Sequence, residues 1–165
     1  MKYLYLMRHA KSSWKDKMLS DFARPLNKRG KKDAPQMAKV LSEFDHPPEL
    51  IVTSPAIRAA ETAKFVQRLT FFKDIPYVEK ERLYAANSNT ILDVIREQPD
   101  AYQALLVIGH NPGIEDLASE LCAGEDYIRM PTAALVQLFF KVKRWQEIDM
   151  KKGMLEALVY PRTVA

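Results

Sequence analysis

Two of the chain's three histidines stand directly after apolar runs, and an arginine-bearing segment follows a third such run. Arg8-His9 succeeds Tyr3-Leu4-Tyr5-Leu6-Met7, and His110 succeeds Leu105-Leu106-Val107-Ile108-Gly109. Arg58 lies in Ser54-Pro55-Ala56-Ile57-Arg58, just past Leu50-Ile51-Val52-Thr53. If these runs are strands of an open α/β sheet, the residues after them occupy the carboxyl ends, where such sheets bind ligands. Two imidazoles and at least two guanidiniums would then meet at adjoining strand ends. An imidazole offers a lone pair or a proton near neutral pH, and a guanidinium offers a permanent charge on a planar fork. Singly, each has an ordinary explanation: Arg8-His9 a polar strand terminus, Arg58 a surface cation, His110 a satisfied core histidine. Their coincidence points instead to a site for an anionic substrate. The third histidine, His46 in Asp45-His46-Pro47-Pro48, reads as an exposed loop residue.

The elements that would position these groups follow from the apolar pattern. Lys2 to Met7 reads as a buried strand, and Ser12 to Arg29 as a loop-like stretch. Gly30 to Phe44 carries Ala34, Met37, Ala38, Leu41 and Phe44 at helical spacing, and His46-Pro47-Pro48 ends that helix. Leu50 to Thr53 is a short strand. Ser54-Pro55 has the form of a helix start, with Ser as N-cap and Pro in the first position, and that helix runs to about Phe72. Tyr77-Val78 reads as a short strand, Asn89 to Gln98 as a helix, and Leu105 to Ile108 as a strand buried on both faces. Gly113 to Leu121 is a helix, and Ala134 to Val142 and Met154 to Tyr160 are two late strands. Strands alternating with helices predict an α/β fold: a three-layer α/β/α sandwich whose mostly parallel sheet the late pair makes mixed. With no linker or repeat, the reading is one domain over residues 1–165.

Composition narrows the function classes. A hydrophobic fraction of 47% argues against disorder. The single cysteine, Cys122, suits a reducing compartment and reads as a buried thiol at a helix end. The first residues look like a signal peptide only superficially, because Arg8-His9 interrupts a short apolar run with no small-residue cleavage site after it. No later run approaches a membrane span, so a soluble cytoplasmic protein is expected. The net charge is +4, but its cations are scattered and carry no interleaved aromatic pattern, so nucleic acid is not an expected partner. There are no metal-spaced cysteines, histidines or carboxylates and no Walker-type glycine loop, so neither metal nor cofactor is expected.

Arg8-His9-Ala10 resembles the Arg-His-Gly signature of the histidine phosphatase superfamily, which includes the phosphoglycerate mutases. Ser54 to Thr62 is similar to that family's second arginine motif, and Gly109-His110-Asn111 to its second-histidine motif. Asp21-Phe22-Ala23-Arg24-Pro25-Leu26 and Gly109-His110-Asn111-Pro112-Gly113 resemble the SixA-type phosphohistidine phosphatases in particular. Ala10 departs from the usual glycine, though it remains small. The resemblance covers nearly the whole chain and implies a phosphoglycerate mutase-like fold, with His9 as a nucleophile that accepts the phosphoryl group before water removes it. It also implies that Arg8, Arg24, Arg58 and His110 bind the phosphoryl oxygens. Family members that act on esters use a carboxylic acid for the leaving group; Glu81, in Glu79-Lys80-Glu81-Arg82-Leu83-Tyr84, lies in about the right region, and Asp21 is the other candidate.

The expected function is therefore a metal-independent, monomeric phosphatase acting on protein phosphohistidine. One alternative is a broad phosphatase of small phosphate esters or pyrophosphates. Another, of a different class, is an inactive module that binds phosphorylated ligands.

Overall fold

The computed structural model describes residues 1–164 of the 165. Its backbone is a six-stranded sheet with helices on both faces, in the order β1 (Lys2–Arg8), α1 (Lys28–Ser42), β2 (Leu50–Thr53), α2 (Ile57–Arg68), β3 (Tyr77–Glu79), α3 (Ser88–Arg96), β4 (Ala104–Gly109), α4 (Gly113–Leu121), β5 (Leu135–Phe140), β6 (Met154–Val159) and α5 (Pro161–Val164). Strand order is β3-β2-β4-β1-β5-β6. The first four are mutually parallel, and β5 and β6 are antiparallel, which gives the mixed α/β/α sandwich.

Every residue of β2 and β4 is buried, as expected for continuous apolar runs between two helical layers. Alternation in β1 sends Leu4 and Leu6 into one core and Tyr5 and Met7 into the other. The first core is closed by Ile91 and Ile95 of α3 with Leu117 and Leu121 of α4. The second is closed by Met37 and Leu41 of α1 with Ala59 and Ala63 of α2.

This layering locates the ligand crevice. From β1 the chain crosses by α1 on one face to β2; from the adjacent β4 it crosses by α4 on the other face to β5. The two connections leave neighbouring strands in opposite directions, which opens a gap above the carboxyl ends of β1 and β4. Their parallel register pairs Arg8 with Gly109, and His9 N–H donates to the Gly109 carbonyl at 3.1 Å. His9 and His110 therefore leave the sheet side by side.

Several boundaries differ from the sequence expectation. Asn27 caps α1 by accepting from Gly30 N–H at 2.8 Å, so the helix starts at Lys28, and it ends at Ser42 before Phe44. Ser54 is not the cap of α2. Its N–H still donates to Ile108 in the sheet at 3.0 Å, and a residue preceding proline is disfavoured in the helical region. The helix begins at Ile57 with Ala56 in the cap position. It stops at Arg68 because Leu69 is extended, and Thr70–Phe72 forms a separate 3₁₀ turn that buries Phe72. No helix among the described residues is long and apolar enough to cross a membrane.

Candidate active site

A cavity of about 360 Å³ opens above β1 and β4, and Arg8, His9, Arg24, Arg58, His110 and Asp21 line it. The structure thus brings together the four strand-end residues and Arg24. Each has a distinct local reason for its position. His9 ends β1. Arg58 sits in the first turn of α2, and its side chain turns inward to become 6% exposed. Arg24 and Asp21 come from the long segment between β1 and α1, which the Ser12–Leu26 bridge folds back over the strand end. His110 starts the turn into α4, followed by a cis Asn111-Pro112 bond.

The protonation of His9 follows from its surroundings. Burial, with the positive charge nearby, pushes its pKa down to about 3, so the ring is neutral through the physiological range. Its Nδ1 lies 2.7 Å from the Ala10 carbonyl, which can only accept, so Nδ1 carries the proton. Nε2 therefore holds the lone pair, and Arg58 Nε donates to it at 3.3 Å. Ala10 N–H in turn donates to Thr62 Oγ1 at 3.0 Å, and Thr62 donates to the Arg58 carbonyl at 2.8 Å, which ties the His9 loop to the helix carrying Arg58.

His110 is held at about 4, by burial first and then by the Arg58 charge, so it is neutral as well. Its ring centroid is 5.1 Å from that of His9. Ser54 Oγ accepts from Ala56 N–H at 3.2 Å and lies 2.8 Å from His110 Nε2. The hydroxyl can donate to Nε2 or accept a second bond from it, so the contact orients the ring without fixing its tautomer. Nδ1 of His110 and Nε of Arg8 are both buried and have no partner among the described residues. Three guanidiniums lining one cavity suit an oxyanion ligand.

Asp21 supplies the opposing charge. Its carboxylate accepts from Arg24 at 2.9 Å, from Arg58 at 3.0 Å and from the Tyr84 hydroxyl at 2.7 Å, and its carbonyl accepts from Arg58 at 2.6 Å. The Tyr84 hydrogen bond, with those to the arginines, holds its pKa down to about 2. Asp21 is thus a carboxylate that orients two guanidiniums, and it has no proton to give near neutrality. Glu81, the other candidate acid, stands apart: it is exposed on the 3₁₀ turn Glu81–Leu83 and is absent from the lining of the cavity.

Three contributors were not anticipated from sequence. Ser54 orients His110. Tyr84 bonds Asp21 and places its ring 5.7 Å from that of His110. Trp14, 73% exposed, lies over the Arg24 guanidinium, 3.3 Å from atom to ring centroid. Only Ser54 sat in a segment already marked by its motif; nothing in the spacing of Trp14 or Tyr84 from the histidines signals their approach.

The model of the histidine phosphatase superfamily (branch 1) matches residues 4–106, well over half of the chain. The chain belongs to that superfamily. An uncharacterised chloroplastic protein of Arabidopsis thaliana is 33% identical over 96% of this chain and 77% of its own length. A structure from Agrobacterium tumefaciens, which carries the designation phosphohistidine phosphatase SixA, is 30% identical. It superposes with a TM-score of 0.81 over 97% of this chain and 98% of its own. A further SixA-designated structure, from Nakamurella multipartitia, reaches 0.83 at 21% identity over 97% and 96% of the two chains, a likeness of fold. This histidine phosphatase is thus SixA-like in architecture, and phosphatase activity is the activity its family supports.

Proposed function

We propose that this histidine phosphatase acts on protein phosphohistidine, through a phosphoryl group carried on His9 Nε2. The observation that carries this reading is the tautomer of His9. With its proton committed to the Ala10 carbonyl, the lone pair lies on Nε2, and Arg8, Arg24 and Arg58 line the same cavity.

In the first step Nε2 attacks phosphorus and the N–P bond to the substrate imidazole breaks. The other nitrogen of that imidazole, protonated from solvent, lets it depart neutral. No carboxylic acid is then needed at the scissile nitrogen, which accords with the ionised Asp21 and with a Glu81 that is exposed outside the cavity lining. The guanidiniums carry the charge on the three equatorial oxygens. In the second step water attacks phosphorus, the bond to His9 breaks, one water proton passes to solvent, and Nε2 recovers its lone pair. The mechanism routes no step through a metal, so turnover is expected to survive EDTA. We place the enzyme as a monomer, and in a reducing compartment such as the cytoplasm, the compartment being supported by its single buried cysteine.

Rapid-quench mixing with a phosphohistidine peptide tests the reading. The parent protein should trap an acid-labile, base-stable phosphoenzyme, and His9→Ala should trap none and lose turnover while unfolding near the parent's midpoint. Turnover by His9→Ala close to the parent's would reject the nucleophile. Turnover of an aryl phosphate but never of the peptide would move the substrate to small esters.

A further inference from the structure

A second cavity, of about 400 Å³, adjoins the first and shares Arg8, Lys11 and Thr132 with it. Its remaining polar wall is Arg29 of α1, Tyr160 and Arg162 of α5. Four cations from three separate stretches of the chain therefore line it, and no carboxylate does. Arg29 is partly offset by Asp33, whose carboxylate lies 3.3 Å from its Nε. Lys11 and Arg162 have no acidic partner among the described residues. The path continues beyond Arg29 and Arg162 to Lys32, which lines the next depression along α1.

Like charges crowded at one surface repel one another and weaken the folded state. Nothing in the packing requires them here, since Arg162 is exposed and Lys11 lies in a loop. Because the cavity is continuous with the phosphoryl site, whatever fills it is attached to the group being transferred or lies next to it. From this we infer that Lys11, Arg29 and Arg162 form a subsite for a second anionic group, carboxylate or phosphate, carried by the same substrate. The inference deepens the proposed function and rests on it. It assigns to the substrate an acidic group within reach of the phosphohistidine, on the side of the α1 N-terminus and the C-terminal turn. Such a subsite raises affinity and selects among phosphorylated partners without touching phosphorus.

The test uses Arg162→Gln, an exposed position outside the catalytic cavity, and the double variant Lys11→Gln/Arg162→Gln. One arm compares two phosphohistidine peptides that differ only in flanking Asp against Asn. The other compares inhibition of aryl phosphate hydrolysis by phosphate and by pyrophosphate. The parent should show a KM for the acidic peptide roughly threefold to fivefold below that for the neutral one, the scale of one exposed ion pair, shrinking as salt is raised. Arg162→Gln should lose most of that preference and keep the parent's rate on the aryl phosphate. Loss confined to the peptide arm assigns the subsite to carboxylates, loss confined to pyrophosphate inhibition assigns it to a second phosphate, and loss in both assigns it to either anion. Equal behaviour of parent and both variants in both arms overturns the subsite. A parent that hydrolyses neither peptide nor aryl phosphate overturns the proposed function instead, so the two failures are distinct.

Discussion

Arg58 and Asp21 set the electrostatic level of the catalytic cavity in opposite directions. Arg58 touches Nε2 of His9 and is mostly buried, so its charge acts where water screens little. Removing it should cost about 10²-fold in kcat/KM, the scale of one oxyanion donor, and should weaken vanadate binding in parallel. Unchanged vanadate affinity in Arg58→Ala would reduce the residue to scaffolding. The Asp21 carboxylate occupies one fork nitrogen of each of two guanidiniums, so it competes with the incoming anion. Asp21→Asn should therefore bind vanadate roughly threefold more tightly, the scale of a half-exposed ion pair. Weaker binding would mean that holding the arginines in place outweighs the competition. Glu81→Gln should match the parent on peptide and on alkyl phosphate alike, because the side chain is exposed outside the cavity; a selective loss on the alkyl phosphate would restore Glu81 as the acid. These residue-scale effects depend on charge and geometry, and only the charge could be read from sequence.

At the scale of elements, the loop after His9 is held by the start of α1. A Cβ built on Gly30 would lie 2.1 Å from the Lys11 carbonyl oxygen, a backbone atom that also accepts from Asn27 N–H at 3.0 Å. Gly30→Ala must push the helix or the loop away, and that loop begins two residues after the nucleophile. The expected cost is about 1–3 kcal/mol of stability, with kcat lowered tenfold or more for a displacement near 1 Å. Thermal unfolding and single-turnover rates would check both, and parent-like values in both would show that the contact is slack. Elements whose cause is local were legible in the residues. The apolar runs of β1, β2 and β4 announced strands, that of β4 one buried on both faces, and Gly113 to Leu121 fell on α4 to the residue. Those whose cause is tertiary were not. Ser54-Pro55 has a cap-like sequence, but the ladder bond to Ile108 and the imidazole of His110 claim the serine first. The site itself was legible where a strand end supplies the side chain. It was opaque where a loop folds back, as with Trp14 over Arg24 or Tyr84 on Asp21, because those pairs are separated in sequence and set by the path of the chain.

For the whole molecule, a fold that keeps two imidazoles neutral must lose stability in acid. The folded values of His9, about 3, and His110, about 4, lie below the ordinary 6.5, so between those limits the unfolded chain binds protons that the folded one does not. Stability then rises with pH across that window, is fully present above about 6.5 and falls as acid is added. From pH 7 to pH 5 each buried imidazole should contribute a loss of up to about 2 kcal/mol. Asp21 acts lower: its folded value of about 2 lies below its ordinary 3.8, so its contribution persists until acid protonates it, and is lost as the pH falls toward 2. The two windows overlap only between about 3 and 3.8, so the range from pH 7 to pH 5 reports the imidazoles alone. Urea midpoints at pH 7 and pH 5 should drop for the parent, drop less for His9→Gln and His110→Gln, and drop least for the double variant, since glutamine does not titrate. Asp21→Asn should follow the parent in that range. In the parent, carbon-bound ring protons of His9 and His110, identified by their loss in those variants, should hold their shifts from about pH 7 to pH 5. Imidazole signals that move near pH 6.5, together with equal acid sensitivity in all variants, would mean that both rings are charged on acidification without opposing the fold. The lone pair on His9 Nε2 would then be lost below neutrality, and hydrolysis would fail there for the same reason.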